Sequence, residues 1–363
     1  MAHLPLRLRI ALGLLVFLPA TAVAEHLQAG DGLVFLCSVG AILPLAVLLS
    51  AATEELAVAL GPTVGALLNA LFGNATELII ALTALRAGLV EIVKASITGT
   101  LIANLLLALG LSLLVGGIGR REQTFQPVVA RVNGTAMTLA VLAMLLPSLG
   151  GFGGEGSGGP QQFSQLVAWV LLLVYGLTLL FSLRTHRALY EVAEVEVAAA
   201  TAEGHASPPL LPWLLVLVAA TAGLAYASEV FVGVIEPVTE RLGLSPLFAG
   251  VVVLPLLGGV AEYITAVSMA RRNKMDLSVS VSLGSTLLVA LLVVPALVLC
   301  GPLLGHPIDL SFSISQMVAI ITAVVVSNLV SLDGRSDWLE GVLLLAAYVI
   351  LAAGFYFQAS PLG

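Results

Sequence analysis

Two glutamates lie inside long apolar stretches, and their local sequences resemble each other. The first ends the sequence Gly73-Asn-Ala-Thr-Glu77, and the second ends the sequence Gly258-Gly-Val-Ala-Glu262. A carboxylate within a membrane costs at least about 2.5 to 3.5 kcal/mol on insertion scales, so each should face a cavity and be neutralised there. Glycines beside each acid loosen the helix, which allows backbone carbonyls to turn toward a cation.

The pairing of two carboxylates suggests a specific chemistry. Two ionised carboxylates facing each other in an apolar medium repel, whereas one divalent cation or two protons would make the pair neutral. If only a neutral site can change the side of the membrane to which it opens, the protein would exchange a dication for protons. We therefore predict that Glu77 and Glu262 bind the metal ion and the protons.

Further oxygen-bearing side chains fall on the same predicted helix faces. Asn74, Thr76 and Thr265 lie near the glutamates on their own helices, whereas Asn104 and Ser285 belong to polar stripes of the following helices. With the glycines, the predicted supporting residues are Gly73, Asn74, Thr76, Asn104, Gly258, Gly259, Thr265 and Ser285. Oxygen ligands without His or Cys select a hard cation such as Ca²⁺, Mn²⁺, Mg²⁺ or Na⁺. Calcium is favoured over magnesium, because Mg²⁺ releases its waters reluctantly. No cofactor is predicted, since Ca²⁺ and H⁺ would be the transported species.

Two more acids, Glu54 and Glu229, lie near predicted helix ends on opposite sides of the membrane. They could hold cations at the two entrances, or they could be ordinary interfacial charges. Both interpretations stay open.

The remaining sequence predicts a membrane scaffold for these residues. Of 363 residues, 59% are apolar and 10% charged, with a net charge of −7 and a mean hydropathy of +1.10. Soluble domains carry about 25% charged residues, whereas a membrane helix needs about 20 apolar residues. The sequence predicts an all-α polytopic protein with about eleven spans, near 8–24, 32–52, 62–86, 95–118, 128–149, 163–183, 210–230, 246–270, 277–301, 312–331 and 339–357. Nothing in this composition indicates a nucleic-acid partner.

The distribution of basic residues predicts the orientation. With the N-terminus in the cytoplasm, only Arg86, Lys94 and Arg241 of the 14 Lys and Arg residues would lie outside. Cytoplasmic loops retain positive charge, so a cytoplasmic N-terminus is predicted. The first segment also fits a cleavable signal peptide, although we favour a retained helix.

A shift of 185 residues aligns Gly73 with Gly258, Glu77 with Glu262, and Asn104 with Val289. Five helices in each repeat would place the halves in opposite orientations, which is the inverted-repeat plan of secondary transporters. The predicted regions are a leading helix or signal peptide at 1–29, a first repeat at 30–186, a cytoplasmic acidic linker at 187–208 and a second repeat at 209–363.

At these motifs the chain resembles the Ca²⁺/H⁺ antiporter (CAX) family of the cation/Ca²⁺ exchanger superfamily. The resemblance rests on the motif at 73–77, on Lys94-Ala-Ser-Ile-Thr-Gly-Thr-Leu-Ile-Ala-Asn104, on Lys274-Met-Asp-Leu-Ser-Val-Ser-Val281 and on Ser336-Asp-Trp-Leu-Glu-Gly341. It implies a sodium/calcium exchanger-like fold of eleven helices, with a leading helix and two inverted five-helix repeats. It also implies export of cytoplasmic Ca²⁺ driven by inward protons, and suggests a bacterial plasma (inner) membrane.

Carried over by position, the resemblance makes Glu77 and Glu262 the ion and proton carriers, supported by Asn74 and Asn104. The second repeat departs from the family pattern Gly-Asn-Ala-Ala-Glu-His. This chain has Gly259 in place of the asparagine and Tyr263 in place of the histidine, and Leu288 stands where the family commonly has glutamine.

Several alternatives remain open at this point. A Na⁺-coupled exchanger, another cation/H⁺ exchanger carrying Na⁺ or Mn²⁺, or a passive cation channel could use the same fold. An enzyme is not predicted, because no His-Glu-x-x-His, Gly-x-Ser-x-Gly or Gly-x-Gly-Asp motif occurs. Ion selectivity, stoichiometry and homo-oligomeric state are left undetermined by the sequence.

Overall fold

A computed structural model describes residues 6–149, 159–185 and 209–358 of the chain. The predicted acidic linker, 187–208, lies outside the described residues. The helices are α1 (Leu6–His26, interrupted at 15–16), α2 (Asp31–Leu60), α3 (Pro62–Phe72), α4 (Ala75–Arg86), α5 (Val90–Gly117), α6 (Pro127–Leu145), α7 (Gly159–Thr185), α8 (Leu210–Arg241), α9 (Pro246–Gly258), α10 (Val260–Arg271), α11 (Met275–Leu304), α12 (Ile314–Val330) and α13 (Trp338–Phe357). A 3₁₀ turn at Leu146–Ser148 and two short strands, β1 (Gln123–Thr124) and β2 (Arg335–Ser336), complete the regular structure of these residues.

Eight helices of the described part are long and apolar enough to cross a membrane, and the pair α9 and α10 raises the number to nine if it is one span bent by 59°. This confirms the prediction of a polytopic, all-α membrane protein. The exact count of eleven stays a prediction. The third predicted span is divided into α3 and α4, and α12 is apolar but has only 17 residues.

The first long helix of each predicted repeat packs against the other in antiparallel orientation. Arg241 at the end of α8 forms an ion pair of 2.7 Å with Asp31 at the start of α2. Farther along, the rings of Phe35 and Phe231 stack with their centroids 5.4 Å apart. Each of these helices is followed by a helix that is broken beside a glycine, so the order of elements in the two halves corresponds.

Contacts between the two halves form at both ends of the helices. At one end, β1 pairs with β2 in antiparallel register, with Gln123 opposite Ser336; we call this pairing the strand tie. At the other end, the Ser148 hydroxyl donates to the Leu310 carbonyl at 3.0 Å and accepts from the Phe312 amide at 2.7 Å. Ser164 accepts from the Leu310 amide at 3.0 Å, and we call these contacts the serine tie.

The central helices α5 and α11 each contain a π turn. These turns cover Ala103–Ala108 and Val289–Val293, so both include the positions that the repeat aligns, Asn104 and Val289. A π turn inserts one extra residue into an α-helix and is frequent at functional sites. The matching position of the two turns agrees with the register proposed for the repeat.

Candidate functional site

Both glutamates stand in the first turn of a helix that follows a break. Glu77 is in the first turn of α4 after the N-cap Asn74, and Glu262 is in the first turn of α10 after the N-cap Gly259. The first-turn amides of a helix lack intrahelical partners, and the helix dipole favours negative charge there. Each break therefore provides a favourable end for a carboxylate deep in an apolar protein.

Glu77 is buried and Glu262 is half-buried, and three of their four carboxylate oxygens are buried without a hydrogen-bond partner among the described residues. Both carboxylate oxygens of Glu77 and the Oε2 atom of Glu262 lack a hydrogen-bond partner among the described residues, and Glu77 is only 8% exposed. The Oδ1 atom of Asn104 is also buried and has no hydrogen-bond partner in the part of the chain that the structure describes. Buried polar atoms are almost always hydrogen-bonded, so a group of orphaned acceptors calls for an explanation in terms of function.

An amide–hydroxyl network joins the two halves beside these acids. The Ser285 hydroxyl on α11 accepts hydrogen bonds from the Asn74 amide at 2.6 Å and from the Asn104 amide at 3.1 Å. All three side chains are buried. The structure thus brings together three of the polar residues that the sequence analysis singled out.

Close backbone approaches complete the site. A Cβ atom on Gly258 would lie 3.0 Å from the Cγ atom of Glu77, so the first glutamate packs against the second break. A Cβ atom on Gly73 would stand 3.7 Å from the Cδ1 atom of Leu288. The predicted glycines therefore serve contact between the halves as well as helix breaking.

The two threonines of the predicted site are positioned differently. Thr76 is buried next to Glu77 in the first turn of α4. Thr265 lies on α10 one turn after Glu262 and is half-buried.

The half-helices before the two breaks pack very differently. Helix α9 lies tightly on α5, where Gly99 contacts the backbone carbonyl of Val251 and Gly250 contacts Ala95. Gly284 on α11 is the position that the repeat relates to Gly99, and a Cβ atom there would meet nothing within 4 Å. Helix α3 exposes Val64, Leu67 and Leu71, with exposed fractions of 49%, 44% and 61%.

The two candidate entrance acids lie at opposite ends of the antiparallel pair α2 and α8. Glu54 forms an ion pair with Arg7 at 2.8 Å and accepts a hydrogen bond from Ser50 at 3.2 Å. Glu229 is exposed and lines a surface cavity of about 410 Å³ together with Glu25 and Asp31. Their positions on opposite sides agree with the sequence analysis, whereas their binding of cations stays a prediction.

One ionic contact between the halves was assigned no role by the sequence analysis. The Lys94 ammonium lies 2.6 Å from the Oδ1 atom of Asp309, in the loop between α11 and α12. Burial raises the pKa of Asp309, but hydrogen bonds from Lys94 and Ser311 outweigh this effect and hold the pKa below its ordinary value of 3.8. The two residues are 215 positions apart, and no local pattern marks Asp309 as a partner.

Comparison with known proteins identifies the class. The family described as sodium/calcium exchanger protein matches this chain twice, at residues 31–184 and 212–357. The chain therefore belongs to the sodium/calcium exchanger family.

Individual relatives narrow the resemblance. The chain is 47% identical over 360 residues to the Ca(2+)/H(+) antiporter of Aphanothece halophytica, covering 96% of each chain. It is 46% identical over 363 residues to the Ca(2+)/H(+) antiporter of Synechocystis sp., covering 96% of this chain and 98% of that relative. The solved structure of native YfkE superimposes with a TM-score of 0.83 at 34% identity, covering 97% of this chain and 100% of that one.

Proposed function

We propose that this protein is a Ca²⁺/H⁺ antiporter that exports cytoplasmic Ca²⁺ in exchange for protons. The observation that carries the proposal is the pair of glutamates at the two helix breaks, the buried Glu77 and the half-buried Glu262, which have carboxylate oxygens that are buried without a hydrogen-bond partner in the described part of the chain. The names of the relatives, which are antiporters of the same two ions, support this choice. No enzymatic activity and no cofactor form part of the proposal.

Charge balance couples the two ions. Ionised Glu77 and Glu262 together carry the charge that one Ca²⁺ neutralises, and protonation of both carboxylates neutralises the site equally well. Asn74, Asn104 and Ser285 supply uncharged polar groups beside them. Since either load leaves a neutral site, each loaded form can change its access, whereas the empty and doubly charged form cannot.

Access to the site is proposed to alternate through the half-helices α3 and α9. Helix α9 packs closely against Gly99 and closes the route to the site on its side of the membrane. The open space at Gly284 and the exposed face of α3 indicate that the route on the other side is open. With a cytoplasmic N-terminus, α3 lies on the cytoplasmic side. The described conformation is then open to the cytoplasm, and α3 would move onto α11 when access changes.

The remaining assignments follow from this scheme. Gly73, Gly258 and Gly259 keep the breaks open, and Thr76 and Thr265 line the adjoining helix turns. Glu54 and Glu229 would attract cations at the two mouths. The protein would reside in the plasma (inner) membrane of a bacterium, and it would work as a single chain or as a homo-oligomer.

The decisive experiment is Ca²⁺ uptake into everted membrane vesicles under an imposed pH gradient, acid inside. We expect uptake that collapses when a protonophore is added and that is absent from vesicles lacking the protein. Uptake driven only by a Na⁺ gradient would instead support a Na⁺-coupled exchanger. Flux that follows the Ca²⁺ gradient and ignores the pH gradient would indicate a channel. A panel with Mn²⁺ and Na⁺ as competitors would define the selectivity.

A further inference from the structure

The side chain of Tyr263 covers the break between α9 and α10. A Cβ atom built on Gly259 would lie 2.5 Å from both the Cζ atom and the hydroxyl oxygen of Tyr263. That distance is too short for any real contact, so the phenol occupies the space that a side chain at position 259 would need. Glycine at 259 and the observed position of the Tyr263 ring are therefore mutually dependent.

The tyrosine hydroxyl is used for a contact within its own half. It donates a hydrogen bond of 2.9 Å to the carbonyl of Pro255, which also accepts from the Gly259 amide at 2.9 Å. Tyr263 is 8% exposed, and a buried phenol normally requires such a partner. The bond fastens the first turn of α10, which carries Glu262, to the last turn of α9.

The first break has different residues at the positions that correspond to Gly259 and Tyr263. The repeat relates Gly259 to Asn74 and Tyr263 to Leu78. Asn74 extends across to Ser285 in the other half, and Leu78 is a partly buried apolar residue. The first break therefore contributes an amide to the network between the halves, while the hydroxyl at the second break bonds within its own half, from α10 to α9.

We propose that Tyr263 is a positioning residue that holds Glu262 at the second break. Because Gly259 offers no side chain there, the affinity and selectivity for divalent cations depend on the neutral groups around the first break. Those groups are Asn74, Asn104 and Ser285. This inference rests on the proposed exchange function and concerns the same site.

The first test removes only the hydroxyl. Tyr263→Phe loses the bond to Pro255, so Glu262 is held less firmly and the KM for Ca²⁺ rises roughly 3- to 10-fold, with a smaller change in maximal rate. The matched control is Tyr348→Phe, because the Tyr348 hydroxyl is buried but has no hydrogen-bond partner in the described residues. Its KM should change by less than about twofold. Equal KM values for Tyr263→Phe and the wild type would overturn the inference.

The second test transfers the residue pair of the first break to the second. Gly259→Asn alone should lose most exchange, because the new side chain must displace the Tyr263 ring. Gly259→Asn combined with Tyr263→Leu should recover exchange and show a changed preference between Ca²⁺ and competing Mn²⁺. Wild-type exchange in Gly259→Asn alone, or no recovery in a double variant that remains monodisperse in detergent, would contradict the mutual dependence.

Uptake by wild type and by Glu262→Gln, measured in the same kind of vesicle, distinguishes failure of the proposed exchange function from failure of the role given to Tyr263. If wild type shows no Ca²⁺ uptake driven by the pH gradient, the proposed function itself fails. If wild type transports and Glu262→Gln does not, but Tyr263→Phe behaves as wild type, only the role of Tyr263 is rejected.

Discussion

The break between α3 and α4 and the break between α9 and α10 occupy related positions in the two halves, yet Gly73 is exposed whereas Gly258 and Gly259 are buried. The first break places an asparagine amide on a serine of the other half. The second is covered by a tyrosine from its own helix. The comparison teaches that the repeated feature is the acid after a broken helix, while the neutral groups and the packing around each acid have diverged.

The strongest test of what the breaks share is removal of each charge. Glu77→Gln and Glu262→Gln should each reduce exchange at least about 100-fold, because an amide can neither release a proton nor neutralise a dication. Initial rates of Ca²⁺ uptake under a pH gradient measure the effect. Glu240→Gln, at an exposed glutamate of α8, is the control and should retain exchange. Normal exchange in either of the first two variants would contradict a site that uses both carboxylates.

The unequal packing of α3 and α9 is tested at the two related glycines. Gly284→Leu adds a side chain at a position where a Cβ atom meets nothing within 4 Å, and it would block α3 from packing on α11, so exchange should fall at least about tenfold with little change in thermal stability. Gly99→Ala meets the Val251 carbonyl and should lower the free energy of unfolding by about 1 to 3 kcal/mol.

Thermal unfolding in detergent and vesicle uptake distinguish the two effects. If Gly284→Leu transported at the wild-type rate, the proposed movement of α3 onto α11 would be wrong.

The network of the first break is tested at its shared acceptor. Ser285→Ala leaves the amides of Asn74 and Asn104 without their partner, and the KM for Ca²⁺ should rise roughly tenfold. Ser285→Thr keeps the hydroxyl and introduces the residue type found at the related position, Thr100. It should restore most of the affinity, and a threonine variant as weak as the alanine variant would point to packing instead of hydrogen bonding.

The smallest expected effect on exchange concerns contacts away from the breaks, which should act on stability. Asp309→Asn removes the nearer counter-charge of the largely buried Lys94 ammonium, which keeps only the exposed Glu91 at 3.8 Å among the described residues, and should lower the free energy of unfolding by about 1.5 to 3 kcal/mol. Asp276→Asn, where the carboxylate accepts a backbone amide of Gln126, should cost less.

Because the pKa of Asp309 is lowered on folding, its carboxylate contributes fully above the ordinary value of 3.8 and loses its contribution as pH falls through the lower folded value. The difference between wild type and Asp309→Asn, followed by thermal unfolding, should therefore be the same at pH 7 and pH 5. A difference that disappears already at pH 5 would contradict the ion pair.

Much of the fold and the main acids could be predicted from sequence because charge inside an apolar run is conspicuous. Helix ends were less accurate: α8 was predicted to end near 230, yet it continues to Arg241 through Glu236 and Glu240. The apolar run stops at the membrane surface, but backbone hydrogen bonding does not.

Contacts that depend on tertiary structure could not be predicted. Asn74 was identified as a site residue, but its partner Ser285 lies 211 positions away. Tyr263 was noted only as a departure from the family, since the bond to Pro255 depends on the bend between two helices. The repeat register stays a prediction with which the paired π turns agree, and it did not reveal that the related positions are packed differently.

The strand tie, the serine tie and the bond from Asn74 to Ser285 all join residues far apart in the chain, and this has a consequence for biosynthesis. When the first half has been synthesised and inserted, its Asn74 and Asn104 still lack the hydrogen-bond partner that Ser285 provides, and Lys94 has only Glu91 as a counter-charge until Asp309 follows. The polar groups of the first half therefore remain without these partners in the bilayer until the second half is inserted. The final structure of the first half forms only after most of the second half has been synthesised and inserted.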